Sequence, residues 1–534
     1  MTSDASAHPS DAFHVYDTTL RDGAQREGMS LSVNDKLAIA RHLDDLGVGF
    51  VEGGWPGANP KDAEFFRRAR TELTLRTAQL AAFGSTRRPG GVAADDLAHL
   101  RDSGAPVVTL VAKSDVRHVE RALRTTREEN LAMVRDSVAH LVAEGQRVFL
   151  DAEHFFDGYV ADPAYAVEVL LVAAQAGADV AVLCDTNGGM LPSRLAEIVS
   201  QVRETGVRLG IHAHNDIACA VANSLAAIDA GATHVQGTAN GYGERCGNAD
   251  LFSIVAALET KAGRIVLPAG RLAELGRVAH AIAEVANIAP DPHQPWVGAS
   301  AFAHKAGLHV SAIKADPDLY QHADPATVGN DMRLLVSELA GRATIELKGK
   351  ALGLEPDRDT VLRVIERVKQ LESVGFSFEA AEASFELLLR EEMGQRPHYF
   401  DLESWRVIVE HRDGRVVSEA TVKLHAKGER IVATGEGNGP VNALDRALRA
   451  ALVELHPGLA VLDLVDYKVR IVSGAHGTDA VTRVLVETSD GSTEWSTVGV
   501  HENVIEASWQ ALQDAYTAGL LRQSTGAPHD LASG

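Results

Sequence analysis

The sequence predicts a closed (β/α)8 barrel with a smaller α+β domain behind it. Three observations carry this. Short apolar strands alternate with helical stretches over residues 14–265, a glycine precedes most of these strands, and polar residues gather where the strands end. Strict alternation of strand and helix implies parallel strands joined by right-handed crossovers. Eight such units in about 250 residues point to a barrel closed on itself. A doubly wound open sheet is the competing architecture, but no strand here runs into the G-x-G-x-x-G turn of a dinucleotide site.

The first strand, His14-Val-Tyr-Asp17, turns at Leu20-Arg-Asp-Gly23. Ser32 caps the first helix, Asp35 falls in its first turn, and Leu37, Ala40 and Leu43–Leu46 form its apolar stripe. The later strands are expected at Val48–Gly53, Leu73–Phe83, Val107–Lys113, Val148–Glu153, Asp179–Cys184, Val207–His212 and Thr233–Gly237. Gly47, Gly145, Gly177, Gly206 and Gly231 stand before five of them, where a helix closes in left-handed backbone. Residues 266–396 read as linker and helical subdomains. They are loop-rich as far as Pro325, then helical over Val336–Lys348, Arg358–Ser373 and Ala380–Met393.

Residues 397–521 change texture, to strand-strand-strand-helix given twice. Gly435 and Gly499, Val441 and Ile505, and Leu448 and Leu512 keep one constant offset, the mark of an internal duplication. Asp413-Gly414 and Asp490-Gly491 are hairpin signals. The glycines at Gly435–Gly439 and Gly499 read as turns that line small cavities with backbone N–H groups, suited to an amino-acid carboxylate. Residues 1–13 and 522–534 read as disordered tails.

Composition narrows the class. A net charge of −22 argues against nucleic acid or an anionic membrane surface as partner, though not against an anionic substrate held by local arginines. Three cysteines, odd in number and widely spaced, fit a reducing cytoplasm. The first residues have neither the basic start nor the apolar core of a signal peptide, and no apolar run approaches the roughly 20 residues of a membrane span. The expected location is cytoplasmic.

In a barrel of this kind the working residues lie at the C-terminal strand ends. Arg21-Asp22 follow the first strand, Glu52-Gly-Gly54 end the second, Glu153-His154 the fifth, Asp185-Thr-Asn187 the sixth and His212-Ala-His-Asn-Asp216 the seventh, while Asn248 follows the eighth. Closure sets the first strand beside the eighth, which neighbours the seventh. Asp22, Asn248, His212 and His214 therefore fall on one arc of the rim. One carboxylate and two histidines hold a divalent metal and leave positions open for a ligand. Taken singly, Asp22 or Asn248 would read as a helix cap, Glu153 as a solvated strand-end carboxylate, and His309 as a loop histidine.

The motifs Asp17-Thr-Thr-Leu-Arg-Asp-Gly23, His212-Ala-His-Asn-Asp216 and Gly243-Glu-Arg-Cys-Gly-Asn248 resemble the metallolyase barrels that join or split acyl-CoA and oxo acids. That family comprises the isopropylmalate, homocitrate and citramalate synthases and hydroxymethylglutaryl-CoA lyase. The C-terminal unit with Gly435-Glu-Gly-Asn-Gly-Pro-Val-Asn-Ala-Leu444 is similar to the dimeric allosteric domain of the synthases. Glu52-Gly-Gly-Trp-Pro-Gly-Ala-Asn-Pro-Lys61 and Glu153-His-Phe-Phe-Asp-Gly-Tyr159 resemble the citramalate-forming branch. The resemblance implies an acyltransferase that condenses acetyl-CoA with pyruvate and water to (R)-citramalate and CoA, leading into isoleucine synthesis. It adds Asn248 to Asp22, His212 and His214 as a metal ligand, for Mg²⁺ or Mn²⁺, with Zn²⁺ also compatible. It implies Arg21, Glu153 and His309 as catalytic residues, with Arg21, Gln25, Thr186 and Tyr320 binding substrate. It further implies a homodimer with isoleucine or leucine as effector. A sister synthase using 2-oxoisovalerate or 2-oxoglutarate is the nearest rival, and a metal-dependent small-molecule sensor without turnover is the rival from another class.

Overall fold

A computed structural model describes residues 11–472 and 480–525. The expected tails over 1–10 and 526–534 lie outside the described residues. Chain contacts divide what is described into two compact units, 11–301 with 323–331, and 302–322 with 332–525.

The first unit is a closed barrel of eight strands: β1 His14–Asp17, β2 Phe50–Gly54, β3 Gln79–Ser85, β4 Val107–Lys113, β5 Arg147–Glu153, β6 Val180–Asp185, β7 Leu209–Ala213 and β8 His234–Gly237. β1 closes it against β8 in parallel register, from His14 opposite His234 to Asp17 opposite Gly237. The local signals act as expected. Ser32 and Asp35 form a reciprocal capping box at the start of helix Val33–Leu46, and Gly47 ends that helix at φ 97°. β3 starts later than the apolar run suggests. Asp44 accepts N–H groups from Arg76, Thr77 and Ala78 at 2.8–3.1 Å, which holds the approach to the strand as a loop.

Inward residues stack from floor to rim. At the floor His14 Nδ1 lies 3.2 Å from His234 Nδ1, and the Arg147 and Arg208 guanidinium groups reach His14 Nε2 at 3.1 and 3.0 Å. Above them Tyr16, Phe50, Ala81, Val107, Phe149, Val180, Val182 and Cys184 fill the lumen. The layer beneath the rim is polar, with Glu52, Thr109, Asp151, His212 and Gln236 all buried.

The expected linker over 266–396 is divided between the two units. Helix Leu275–Val285 belongs with the barrel and buries Leu275, Val278, Ala279 and Ile282, an apolar face that the surrounding prolines obscured in the sequence. The helix expected at Val336–Lys348 runs Arg342–Ala351, because the chain closes a tight approach of Gly341 to Gly307 first. Helices Arg358–Ser373 and Glu382–Glu392 share apolar cores with the C-terminal sheets, through Val498 and Val500 in one core and through Ala383 and Leu387 in the other.

The C-terminal part of the second unit is the expected duplication. Strands Asp401–Arg412, Arg415–Ala426 and Glu429–Gly437 precede helix Pro440–Leu452, and Asp463–Ile471, Thr482–Ser489 and Glu494–His501 precede helix Val504–Thr525. That last helix takes in residues 522–525, which were expected to be tail. Gly435 and Gly499 are not turn residues. Both lie within strands under the following helix. A Cβ would stand 2.5 Å from the Ala447 nitrogen at the first and 1.9 Å from the Ala507 oxygen at the second. At these two positions the helix occupies the space where backbone-lined cavities were expected, while Gly439 stays open as the N-cap of helix Pro440–Leu452. No helix among the described residues is long and apolar enough to cross a membrane.

Candidate active site

The turn after β1 is built to present two side chains. The buried Asp17 carboxylate accepts the Thr19 N–H and hydroxyl at 2.8 and 2.9 Å. The Thr18 carbonyl accepts the N–H groups of Arg21, Asp22 and Gly23. Arg21 and Asp22 are thereby fixed at the rim.

Asp22 meets the histidines of β7. His212 Nε2 lies 3.1 Å and His214 Nε2 3.7 Å from Asp22 Oδ2, and the two imidazole nitrogens are 3.3 Å apart. Among the described residues this trio is the one group of carboxylate, imidazole or thiol donors compact enough to hold a metal ion. Asn248 joins it, donating from Nδ2 to Asp22 Oδ2 at 3.0 Å, while its Oδ1 is buried without a hydrogen-bond partner. An orphaned amide oxygen beside a carboxylate and two imidazoles is what a divalent cation would satisfy. Burial opposes the Asp22 charge, but Arg21, His212 and His214 outweigh it and hold the carboxyl far below the usual range. Burial and the neighbouring His212 push His214 down to about 4, which leaves it neutral at pH 7 with a lone pair to offer.

The loop carrying Asn248 is held closely. Glycine is required at 243 and 247, where a Cβ would come within 2.8 Å of Asn248 Nδ2 and 2.2 Å of the Gly241 oxygen. Arg245 spans three loops, binding Asp216 at 2.7 and 2.9 Å and the Thr186 carbonyl at 2.9 Å.

Arg21 is aimed by Glu52, which strand-end reasoning places at the end of the second strand without giving it this role. Its Nε donates to Glu52 Oε2 at 2.6 Å, and its guanidinium lies 3.8 Å over the Phe83 ring. Glu52 is fully buried and also accepts from the Tyr16 and Thr18 hydroxyls. Gln236 and Asp151 were passed over. His212 Nδ1 is 2.7 Å from Gln236 Oε1, and Gln236 Nε2 donates to Asp151 Oδ1 at 2.9 Å. The available signal was the inward period of the strands, which places polar Glu52, Asp151 and Gln236 in a lumen.

The remaining expected residues are placed as follows. Glu153 ends β5, a quarter exposed, ion-paired with Lys113 and 4.0 Å from His154 Nε2. Thr186 follows β6, and its hydroxyl oxygen accepts the His154 N–H at 2.9 Å. Gln25 is exposed at the end of the short turn Gly23–Gln25. His309 and Tyr320 belong to the second unit. His309 sits on helix Gly307–Ala315 and not in a loop, and its ring stacks on that of Tyr320 at 4.3 Å.

The model of the HMGL-like family matches residues 12–282. The homocitrate synthase post-HMGL domain-like model matches 296–375, and that of the LeuA allosteric (dimerisation) domain 379–520. The (R)-citramalate synthase of Streptomyces coelicolor is 68% identical over 97% of this chain and 98% of its own. That of Synechocystis is 49% identical over 95% and 96%. That of Aquifex aeolicus is 48% identical over 95% and 98%.

Proposed function

The chain belongs to the (R)-citramalate synthases of the HMGL-like family, and from that premise we propose how its residues divide the work. The reaction joins the methyl carbon of acetyl-CoA to the carbonyl carbon of pyruvate, and water then releases CoA from the thioester to leave (R)-citramalate.

Asp22, His212, His214 and Asn248 hold the divalent cation on which the family depends, Mg²⁺ or Mn²⁺, and Zn²⁺ also fits the donors. When bound, the cation supplies Lewis-acid polarisation of the oxo acid carbonyl. The observation that carries this reading is the orphaned Asn248 oxygen beside Asp22 and the paired histidines. Arg21, kept charged and oriented by Glu52, donates to the oxygen on which negative charge develops. Thr186 keeps its hydroxyl proton free to donate to the pyruvate carboxylate, since its oxygen accepts from His154. Gln25 contributes to substrate binding. His309 takes the methyl proton of acetyl-CoA, Tyr320 holds that imidazole by stacking, and Glu153 assists proton movement. The C-terminal domain takes isoleucine or leucine as effector in a homodimer.

CoA release with acetyl-CoA against a panel of oxo acids tests this reading. Pyruvate is expected to give the highest kcat/KM, ahead of 2-oxobutyrate and far ahead of 2-oxoisovalerate. Chelation is expected to abolish turnover and Mg²⁺ or Mn²⁺ to restore it. Preference for 2-oxoisovalerate would move the chain to the isopropylmalate reaction, and binding without CoA release would make it a sensor.

A further inference from the structure

We propose that Gln236 and Asp151 form a positioning relay across the barrel that fixes His212 to present Nε2 to the metal. The relay rests on the metal reading above. His212 Nε2 faces the cluster, 3.1 Å from Asp22 Oδ2 and 3.3 Å from His214 Nε2. An imidazole that ligates through Nε2 carries its proton on Nδ1, and a buried N–H needs an acceptor. The atom 2.7 Å from Nδ1 is Gln236 Oε1.

A glutamine alone does not settle the matter, because turning the amide over would set an NH₂ against the imidazole N–H. The far end of the side chain decides it. Gln236 Nε2 lies 2.9 Å from Asp151 Oδ1, which is an acceptor. As it stands in the structure the NH₂ faces Asp151 and the carbonyl faces His212, and the tautomer follows from that orientation. The three residues come from β7, β8 and β5, and β5 is not adjacent to β8, so the relay spans the lumen. Gln236 is fully buried, Asp151 4% exposed and His212 6% exposed, so bulk water does not compete for these bonds.

Loss of such a partner typically weakens metal binding by about 10–100-fold. The test is an Mn²⁺ titration of chelator-stripped, full-length protein, followed by the EPR signal of the free ion. Gln236→Met, close in size but unable to accept, is expected to bind Mn²⁺ about 10–100-fold more weakly. Asp151→Asn keeps an acceptor oxygen and is expected to stay within about threefold of wild type, whereas Asp151→Leu should fall with Gln236→Met. The double variant Gln236→Met/Asp151→Leu should be no weaker than Gln236→Met, because both act through one chain. A role in packing alone would not produce rescue by asparagine. Wild-type affinity in Gln236→Met, or equal loss in Asp151→Asn and Asp151→Leu, would overturn the relay. Should Gln236→Met fail to fold, the two Asp151 variants carry the same test. Asp22→Ala run in parallel separates the readings: unchanged Mn²⁺ affinity there overturns the metal assignment, and the relay with it.

Discussion

Glu52 shows how much of the site depends on single atoms. Its buried carboxylate accepts from Arg21, Tyr16 and Thr18, so the charge is matched by one guanidinium and two hydroxyls. Removing one partner of a buried ion pair typically costs about 3–5 kcal/mol, because the other charge is left behind. Glu52→Gln keeps the shape and loses the charge that aims Arg21. We expect it to fold but to lower kcat by about 10²-fold, close to the lower end for loss of an oxyanion donor. Arg21→Lys keeps charge without the planar fork and is expected to lose about 10²–10³ in kcat. Steady-state kinetics at saturating Mn²⁺ checks both, and a variant within threefold of wild type would make Arg21 purely structural. Asp22, His212, His214 and Asn248 were legible in the sequence because strand ends and closure place them together. Glu52 was legible as a strand-end carboxylate but not as the partner of Arg21, and Asp151 and Gln236 were not legible, because a lone polar residue inside an apolar strand reveals its partner only once the register across the lumen is known.

At the scale of elements, two features bear on stability. The barrel floor sets His14 and His234 against Arg147 and Arg208. Burial, with repulsion from Arg208 and Arg147, outweighs the Asp11 hydrogen bond and pushes His14 down to about 4. A histidine whose folded value is depressed stabilises the fold fully above its unfolded value of about 6.5, and that contribution is lost as pH falls toward about 4. Thermal unfolding of wild type should therefore weaken across that window, and His14→Gln should show a shallower decline. Equal slopes would remove the floor from the account. The second feature is the pair Gly435 and Gly499, which sets how closely each helix lies on its sheet. Alanine at either is expected to destabilise by about 1–3 kcal/mol or more through overpacking, read from denaturant midpoints. The sequence exposed the repeated spacing but not its cause, since a glycine that closes a turn and one that admits a helix look alike in one dimension.

Over the whole molecule, the division into units differs from the one that composition suggests. Arg396 stands at the sequence break, yet it pairs with Asp514 at 2.7 Å, and Ala383 and Leu387 pack into the C-terminal core. A chain ended at Arg396 would strip that core. It is expected to keep Mn²⁺ binding at the barrel while residues 332–396 become protease-sensitive; protection of that segment would show that the helices stand alone. The barrel was legible because each of its eight strands repeats the same local rule. The linker helices were legible as well, Arg358–Ser373 at both ends, but the units they join were not, because long-range contacts decide that.

The central claim is that Asp22, His212, His214 and Asn248 form one metal centre. Anomalous diffraction from crystals grown with Mn²⁺ and pyruvate tests it most directly. The expected result is a single strong peak within about 2.0–2.3 Å of Asp22 Oδ, both histidine Nε2 atoms and Asn248 Oδ1, the range in which divalent metals meet N and O ligands. A peak elsewhere, or none at these four side chains under saturating Mn²⁺, would contradict it.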